Sequence, residues 1–197
     1  SSSDITLSFS EPMDVFGNQL DEDGNSLDKF NQPIDIRNYF VTNGFLTKDT
    51  QRDQVYTKLL GDIVLDKFMT GNTVYSSHMV AFVAFEILKK RYNDSDIFTI
   101  LRIPEEDREI SWDDFVFSCS RVRDELFALN NHNKLKLAPH MTLEMEDIID
   151  QGIRNVCMYH GLRPIYKTKE GNISSEDLKL LYFYHNRLEG YGLQKCI

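Results

Sequence analysis

The sequence predicts a mostly α-helical, bundle-like domain that begins with one β-strand and carries one small β-hairpin. Apolar side chains recur every three to four residues in five stretches, as in helices that bury one face. Residues 5–10 alternate apolar and polar side chains, which is the period of a half-buried strand. Residues 163–169 and 171–173 flank a turn at Glu170 and Gly171, a pattern that predicts a hairpin.

The composition is that of an acidic globular protein. Of its 197 residues, 22 are Lys or Arg and 31 are Asp or Glu, so the formal net charge is −9. A protein that neutralises nucleic-acid phosphates needs a surplus of cations, so we expect no nucleic acid among the partners. The three cysteines, Cys119, Cys157 and Cys196, lack the spacing of a zinc site or a disulfide framework. We therefore expect free thiols and no bound metal or cofactor.

The strand predicted at residues 5–10 ends at Glu11 and Pro12. A lone strand in a helical chain has no evident partner, so we expect its sheet to lie in sequence upstream of Ser1. The first residues contain no initiator Met and neither the basic nor the apolar region of a signal peptide. We therefore expect this chain to be a piece of a longer protein.

Residues 15–47 are predicted to form a long irregular crossing. Turn-forming pairs such as Gly17-Asn18 and Asn43-Gly44 interrupt it, and no repeat of fixed period is visible. A loop of this length is uncommon inside a compact domain, so it should wrap a surface or join two domains. A short helix is expected within it at residues 34–40.

Residues 48–197 are predicted to form the helical domain. Helices are expected at residues 50–70 and 73–92, from Ser111, from Thr142, and over residues 175–188. The second of these is apolar over most of its circumference, so it should be the central buried helix. Gly161 is placed to end the helix that begins at Thr142.

Two local patterns suggest sites and also have plain structural interpretations. Residues 21–25 suggest a calcium loop, but Gly24 stands at position four instead of six, and Gln32 replaces the Glu expected at position twelve. We interpret this segment as a solvated turn. His78 follows two serines without a nearby group to orient a triad, so we interpret it as a buried core histidine. A small acyltransferase or hydrolase site around His78 is a weaker alternative.

Basic residues define one expected contact surface. Arg163, Lys167 and Lys169 lie on the predicted hairpin, and Lys134 and Lys136 alternate with leucines before it. Either set could contact an anionic membrane, where each Lys near the surface contributes ~1 kcal/mol. An ordinary solvated loop is the alternative interpretation for both sets, given the acidic total charge.

A family resemblance is carried by several segments in a shared order. Residues 5–18 (ITLSFSEPMDVFGN) resemble the last strand of the acyltransferase domain in glycerol-3-phosphate acyltransferases, which ends in a Glu-Pro turn and continues, in larger members, through an Asp-x-Phe-Gly-Asn crossing. Further similar segments are residues 21–28, 51–57, 74–82 and 180–188, the last resembling a Tyr-Tyr-x-Asn helix. The resemblance spans nearly the whole chain.

The resemblance implies an enzyme of phospholipid biosynthesis whose catalytic residues lie elsewhere. Such enzymes transfer a fatty acyl group from coenzyme A or acyl carrier protein to the 1-hydroxyl of glycerol 3-phosphate, using a His-x-x-x-x-Asp motif as base. None of the five histidines here has Asp at that spacing. In the nearest match to the family's Phe-Pro-Glu-Gly motif, at residues 103–108, Glu106 replaces the Gly. No catalytic residue is therefore carried over.

By this resemblance, residues 1–14 would be the last strand of the acyltransferase domain, 15–47 the crossing, and 48–197 a structural and membrane-docking C-terminal domain. Its partners would be the missing catalytic domain of the same chain and, for the full enzyme, the acyl donor and glycerol 3-phosphate. Dihydroxyacetone phosphate is an alternative acceptor. The protein would be cytoplasmic and peripheral to the inner face of a membrane. Contacts with the catalytic domain are expected at Phe9, Phe16, Asn18 and His78.

The alternative function is an independent acidic helical interaction module without enzymatic activity. The first strand distinguishes the two hypotheses. An independent module should pair or bury Ile5, Leu7 and Phe9 within its own chain. A piece of a larger enzyme should leave this segment without a partner.

Overall fold

The protein is mostly α-helical, as predicted, and its β-structure consists of small two-stranded sheets. The computed structural model describes residues 6–93 and 95–197. These residues form two compact units, Leu7–Asn72 and Thr73–Ile197, and Thr6 belongs with the second. The boundary expected between residues 47 and 48 falls inside the first unit.

The first unit opens with an irregular segment where the strand was expected. Residues 6–10 are irregular and carry no ladder pairing, and Ile5 lies outside the described residues. A strand requires a neighbouring strand for its backbone hydrogen bonds, and no strand within residues 6–93 and 95–197 pairs with this segment. Leu7 and Phe9 are 77% and 89% exposed.

A seven-residue repeat follows, which contradicts our expectation that no fixed-period repeat exists. It begins at Asp14, Asp21 and Asp28, and each of these carboxylates accepts the backbone N–H groups two and four residues ahead. The fourth position of each repeat has a positive φ and is Gly17, Gly24 or Asn31. Isolated bridges then join residues six apart, Met13 to Gln19, Leu20 to Ser26 and Leu27 to Pro33. Each turn is therefore closed by its own local hydrogen bonds.

The repeat leads into a hairpin and one long helix. A 3-10 helix at Ile36–Phe40 confirms the short helix expected there. Strands β1 (Val41–Thr42) and β2 (Phe45–Leu46) then pair antiparallel. Helix α1 (Thr50–Gly71) is capped by Asp49, whose carboxylate accepts the N–H groups of Gln51 and Arg52. Every one of its 22 described residues stays at least partly exposed.

The second unit contains the other five α-helices of the described chain. In order, its elements are β3 (Thr73–Val74), α2 (Ser76–Arg91), α3 (Ile97–Ile100), α4 (Trp112–Asn131), β4 (Lys136–Leu137), α5 (Met145–Cys157), β5 (Tyr166–Lys167), β6 (Ile173–Ser174) and α6 (Leu178–His185). Short 3-10 helices lie at Glu105–Asp107, Pro139–Thr142, Asn186–Leu188 and Leu193–Cys196. Strands β3 and β4 pair in parallel, and β5 and β6 form the predicted hairpin, with Gly171 in the turn at φ +90°.

Helix α2 is the central buried helix, as its uniform apolarity predicts. It packs against α4, α5 and α6, and all residues from Met79 to Glu86 are buried. The approach of α5 depends on Gly152, because a Cβ there would lie 2.8 Å from the carbonyl oxygen of Ser76 and 2.8 Å from a methyl group of Val80. The core of this unit is therefore organised around one helix.

The helix starts follow capping residues. Ser111 begins α4, and its hydroxyl accepts the N–H of Asp114 at 3.2 Å. Helix α6 begins after Asp177. Helix α5 begins at Met145 and not at Thr142, because Thr142 closes the preceding 3-10 helix.

Candidate functional site

The N-terminus of α2 is the place where histidine and serine side chains converge. His78 lies one turn into the helix, and its Nδ1 accepts the backbone N–H of Tyr75 at 3.3 Å. The first N–H groups of a helix have no partner within the helix. The His78 imidazole therefore satisfies a backbone donor in the manner of a capping side chain, and its own proton lies on Nε2.

His140, from a distant part of the chain, contacts Ser76, the residue that follows Tyr75. Its Nε2 accepts the backbone N–H of Ser76 at 3.1 Å, and the Ser76 hydroxyl lies 2.9 Å from the same nitrogen. Pairing of β3 with β4 brings the segment before His140 alongside the start of α2. A Ser–His contact of this kind resembles the start of a catalytic dyad. Ser76 is completely buried, however, so its hydroxyl does not face a substrate site.

Burial sets the protonation of His78. Its pKa is lowered from 6.5 to about 4, first by desolvation and then by the positive charge of Arg187. The imidazole is therefore neutral at neutral pH and a weak base. These properties fit the core histidine expected from the sequence better than a proton-abstracting group.

A second histidine pair lies deeper in the same unit, and the sequence analysis did not find it. The Nε2–H of His185 donates to Oε1 of Glu86 at 2.7 Å, and both side chains are almost fully buried. The His185 ring stacks on Phe82 with 4.9 Å between centroids. The partners are 99 residues apart, and no local sequence pattern connects them.

The aromatic and amide side chains expected to contact a catalytic domain differ in their surroundings. Phe16 stacks on Tyr39 with 4.3 Å between ring centroids and meets Tyr56 edge to face. The Asn18 amide donates to Asp14 at 2.9 Å and accepts from the Tyr39 hydroxyl at 3.3 Å. Phe16 and Asn18 are thus engaged inside the first unit. Phe9, by contrast, presents almost its whole ring to solvent.

The hairpin cations do not form one open cluster. Arg163 donates its Nε–H to Glu176 at 2.9 Å and lies 4.0 Å from the centre of the Tyr166 ring. The Lys167 ammonium lies over the indole of Trp112 at 3.7 Å. Lys169 is exposed. Of the three expected membrane contacts, Arg163 is therefore paired with a carboxylate that compensates its charge, whereas Lys167 contacts a neutral ring and keeps its charge.

The cysteines and carboxylates complete the inventory of reactive groups. Cys119 is fully buried, and burial raises its pKa well above that of a free thiol.

No cluster of three or more His, Cys, Asp or Glu side chains able to hold a metal ion occurs within residues 6–93 and 95–197. In the same ranges, no helix has both the length and the apolarity to cross a bilayer.

Comparison with known proteins adds no assignment to this geometry. A scan of protein-family models finds none that matches the chain, and no curated protein and no solved structure matches it.

Proposed function

We propose that this chain is the helical, non-catalytic C-terminal part of a glycerol-3-phosphate 1-O-acyltransferase, or of a relative that acylates dihydroxyacetone phosphate. Its role is to dock on the catalytic domain through the first unit and to hold that domain at a membrane surface. The proposal rests on the ordered resemblance of five segments and on the exposure of apolar side chains near the start of the chain.

The exposure of Leu7 and Phe9 is the observation that carries the proposal. They are separated by one residue, so both would point to the same side in the strand that the sequence predicts. Covering side chains of this size stabilises a protein by roughly 1.5–3 kcal/mol each. An independent module would bury them within its own chain. Their exposure favours a partner that receives this segment as an edge strand.

Helix α1 offers further apolar surface for the same partner. Four of its large apolar side chains are at least half exposed, namely Val55, Leu59, Leu65 and Phe68. A helix of 22 residues that buries no residue obtains little stability from the packing of its own unit. A covering domain would supply the missing contacts.

The surroundings of His78 support the proposal that the catalytic base lies in another domain. His78 is neutral, buried and used as a helix cap, so it is poorly suited to take a proton from a hydroxyl group. In the proposed enzyme the base is the His-x-x-x-x-Asp motif of the catalytic domain. The present chain supplies positioning and no proton transfer.

The proposal is tested by acyl transfer from palmitoyl-CoA to glycerol 3-phosphate. The purified chain alone should give no turnover, and the full-length natural protein should be active. In the full-length protein, Phe9→Glu should lower activity about tenfold or more, because a charge cannot enter an apolar interface without a large cost. The matched control, Ser10→Glu, adds the same charge at the neighbouring exposed residue and should retain activity.

Three results would overturn the proposal. They are turnover by the isolated chain, full activity of the Phe9→Glu protein, and a natural reading frame that begins at Ser1. The second and third would favour the independent acidic interaction module.

A further inference from the structure

Helix α1 packs against the rest of the first unit with one face only. Tyr56 meets the ring of Phe16 edge to face, with 5.3 Å between the centroids. Gly17 approaches Ile63 so closely that a Cβ at Gly17 would collide with the Ile63 side chain. These contacts fix the rotation of the helix about its own axis. The opposite face of α1 is therefore held outward.

The outward face carries a regular row of side chains. Val55, Lys58, Asp62 and Leu65 are spaced by three, four and three residues, so they lie in one row along the helix. Alternating spacings of three and four residues are typical of the contact row between two packed helices. Val55 and Leu65 are 52% and 60% exposed, and Lys58 and Asp62 are exposed as well. The row thus has an apolar residue at each end and two opposite charges at its middle.

The two charges at the middle of the row form no ion pair within the described chain. Across residues 6–93 and 95–197, neither the Lys58 ammonium nor the Asp62 carboxylate lies within ion-pair distance of an opposite charge. The two residues are one turn apart on the same helix, but a cation placed N-terminal to its anion is the less favourable order for such a pair. A partner that presents an anion to Lys58 and a cation to Asp62 would therefore find both charges available.

The row is complementary to a second copy of itself. In an antiparallel pair of α1 helices with a twofold axis at the level of Leu60, each residue lies opposite the one equally far beyond the axis. Lys58 then lies opposite Asp62 of the second copy. Val55 lies opposite Leu65 of the second copy. Each contact occurs twice, so opposite charges meet at the centre and apolar side chains cover each other on both sides.

The residues that flank the row near its centre fit the same arrangement. Leu59 is 51% exposed and close to the axis, so it lies near its own counterpart in the second copy. Gly61 flanks the other side of the row, and a Cβ there would meet nothing within 4 Å. Because Gly61 has no side chain, the two backbones can approach closely at this level.

We propose that the chain forms a weak antiparallel dimer through the outward face of α1. A single pair of helices is a smaller interface than that of a permanent dimer, and the central ion pairs fix the register more than they add affinity. The inference does not depend on the acyltransferase assignment. A catalytic domain that covers α1, as proposed above, would exclude the second copy. The chain without that domain is therefore the species that dimerises.

Sedimentation equilibrium of the chain over a range of concentrations tests the dimer. The average mass should rise from that of a monomer toward that of a dimer as the concentration increases. Leu65→Glu should weaken self-association at least about tenfold, because it places a charge against Val55 at two symmetric positions. Phe183→Glu is the matched control, since Phe183 is 65% exposed on another helix, α6, and its replacement should leave self-association unchanged. A chain that stays monomeric, or equal effects of the two substitutions, would overturn the proposal.

Changing the sign of the central charges tests the pairing itself. Lys58→Asp and Asp62→Lys should each self-associate at least about tenfold more weakly, because like charges then meet across the axis. When the two variants are mixed, they should associate with each other about as tightly as the wild type, because every central contact again joins opposite charges. No rearrangement within one chain produces this rescue. A mixture that associates no better than either variant alone would overturn the antiparallel pairing.

A lipid surface is the other occupant that an exposed apolar helix face would accept. Vesicles of phosphatidylcholine distinguish it from a second copy of the chain. Dimerisation without vesicle binding is the expected result. A chain that stays monomeric and binds the vesicles, with binding lost in Leu65→Glu, would overturn the dimer in favour of a membrane surface.

Discussion

The imidazole of His185 donates to the carboxylate of Glu86 across 2.7 Å, and this pair joins α6 to α2 in the interior of the second unit. Glu86 is the acidic member of an otherwise apolar helix segment. The Lys89 ammonium lies 3.9 Å from the same carboxylate oxygen. A buried carboxylate is tolerated when its partners compensate for lost hydration, so this position should be sensitive to truncation on either side.

Glu86→Ala should destabilise the protein by about 1–3 kcal/mol, because it leaves the N–H of the buried imidazole without its acceptor. Glu86→Gln retains an acceptor oxygen and should cost less. Urea unfolding measures both values. Lys89→Ala is the control and should change stability by roughly 0–1 kcal/mol, since the ammonium is partly solvated. Equal losses for Glu86→Ala and Lys89→Ala would show that the buried pair contributes little.

Two helical glycines should respond in opposite directions to the same substitution. Gly152→Ala forces a methyl group against the Ser76 carbonyl and Val80, so we expect a loss of about 1–3 kcal/mol despite the better helix propensity. At Gly61 a Cβ meets nothing within 4 Å, and Gly61→Ala should gain about 0.5–1 kcal/mol. Thermal unfolding followed by circular dichroism tests both. A stabilised Gly152→Ala protein would contradict the close approach of α5 to α2.

His78 should make the protein less stable in mild acid. Its folded pKa of about 4 lies below the unfolded value of 6.5, so the unfolded chain binds more protons between these values. The contribution of His78 is fully present above about pH 6.5 and is lost as pH falls toward 4, on the order of 3 kcal/mol. Stability against urea, measured across this range, should fall less steeply with acid in His78→Asn than in the wild type.

His132→Asn is the control for this experiment, because His132 is exposed at the C-cap of α4. The slope of stability against pH should change less in His132→Asn than in His78→Asn. If His78→Asn reproduces the wild-type slope, His78 does not carry the acid sensitivity. A His78→Asn protein that keeps its stability but loses an acyl-transfer or hydrolytic activity would favour the alternative active site at this residue.

The turn closed by the Asp14 carboxylate should lose stability only below about pH 3.8, whereas the effect of His78 begins below about pH 6.5. Burial acts to raise the pKa of Asp14, but hydrogen bonds from Asn18, Ser26 and Phe16 outweigh it and hold the pKa below 3.8. Stability from this carboxylate is therefore present above about pH 3.8 and lost as pH falls through the depressed folded value. Amide hydrogen exchange at Phe16 and Asn18 should report the change.

Asp14→Ala should increase exchange at those amides at neutral pH by removing their acceptor, at a cost of about 1 kcal/mol. Asp23→Ala is the control, because Asp23 lies within a neighbouring turn and contributes its backbone N–H, not its carboxylate, to the Asp21 turn. Equal exchange rates in the two variants would mean that the Asp14 carboxylate does not close its turn.

The helices could be predicted from the sequence because their information is local. Ser111 with two acids after it identifies the start of α4, and the uniform apolarity of residues 79–85 identifies α2 as central. The strand expected at residues 5–10 remains a prediction, because it depends on a partner sheet that the described residues do not supply. Alternation shows only that a segment suits a sheet, whereas a strand exists only where a neighbour pairs with it.

The site geometry depended on contacts between distant residues and was mostly not predictable. The Ser76–His140 contact spans 64 positions, and the Glu86–His185 contact spans 99. The seven-residue repeat was visible in principle as Asp14, Asp21 and Asp28. Its fourth position accepts Gly or Asn because either tolerates positive φ, and this variation hid the period.

Because every turn of the repeat is closed by its own aspartate, the segment has a natural unit of insertion and deletion. Removing residues 21–27 would let Asp28 follow Leu20 in the place that Asp21 now holds, with acceptors and donors again two and four positions apart. Removing three or four residues would instead shift the sequence out of register with the turns, so that a turn would no longer begin with the aspartate that closes it. A change in length by whole sevens therefore keeps an aspartate at the start of every turn that remains.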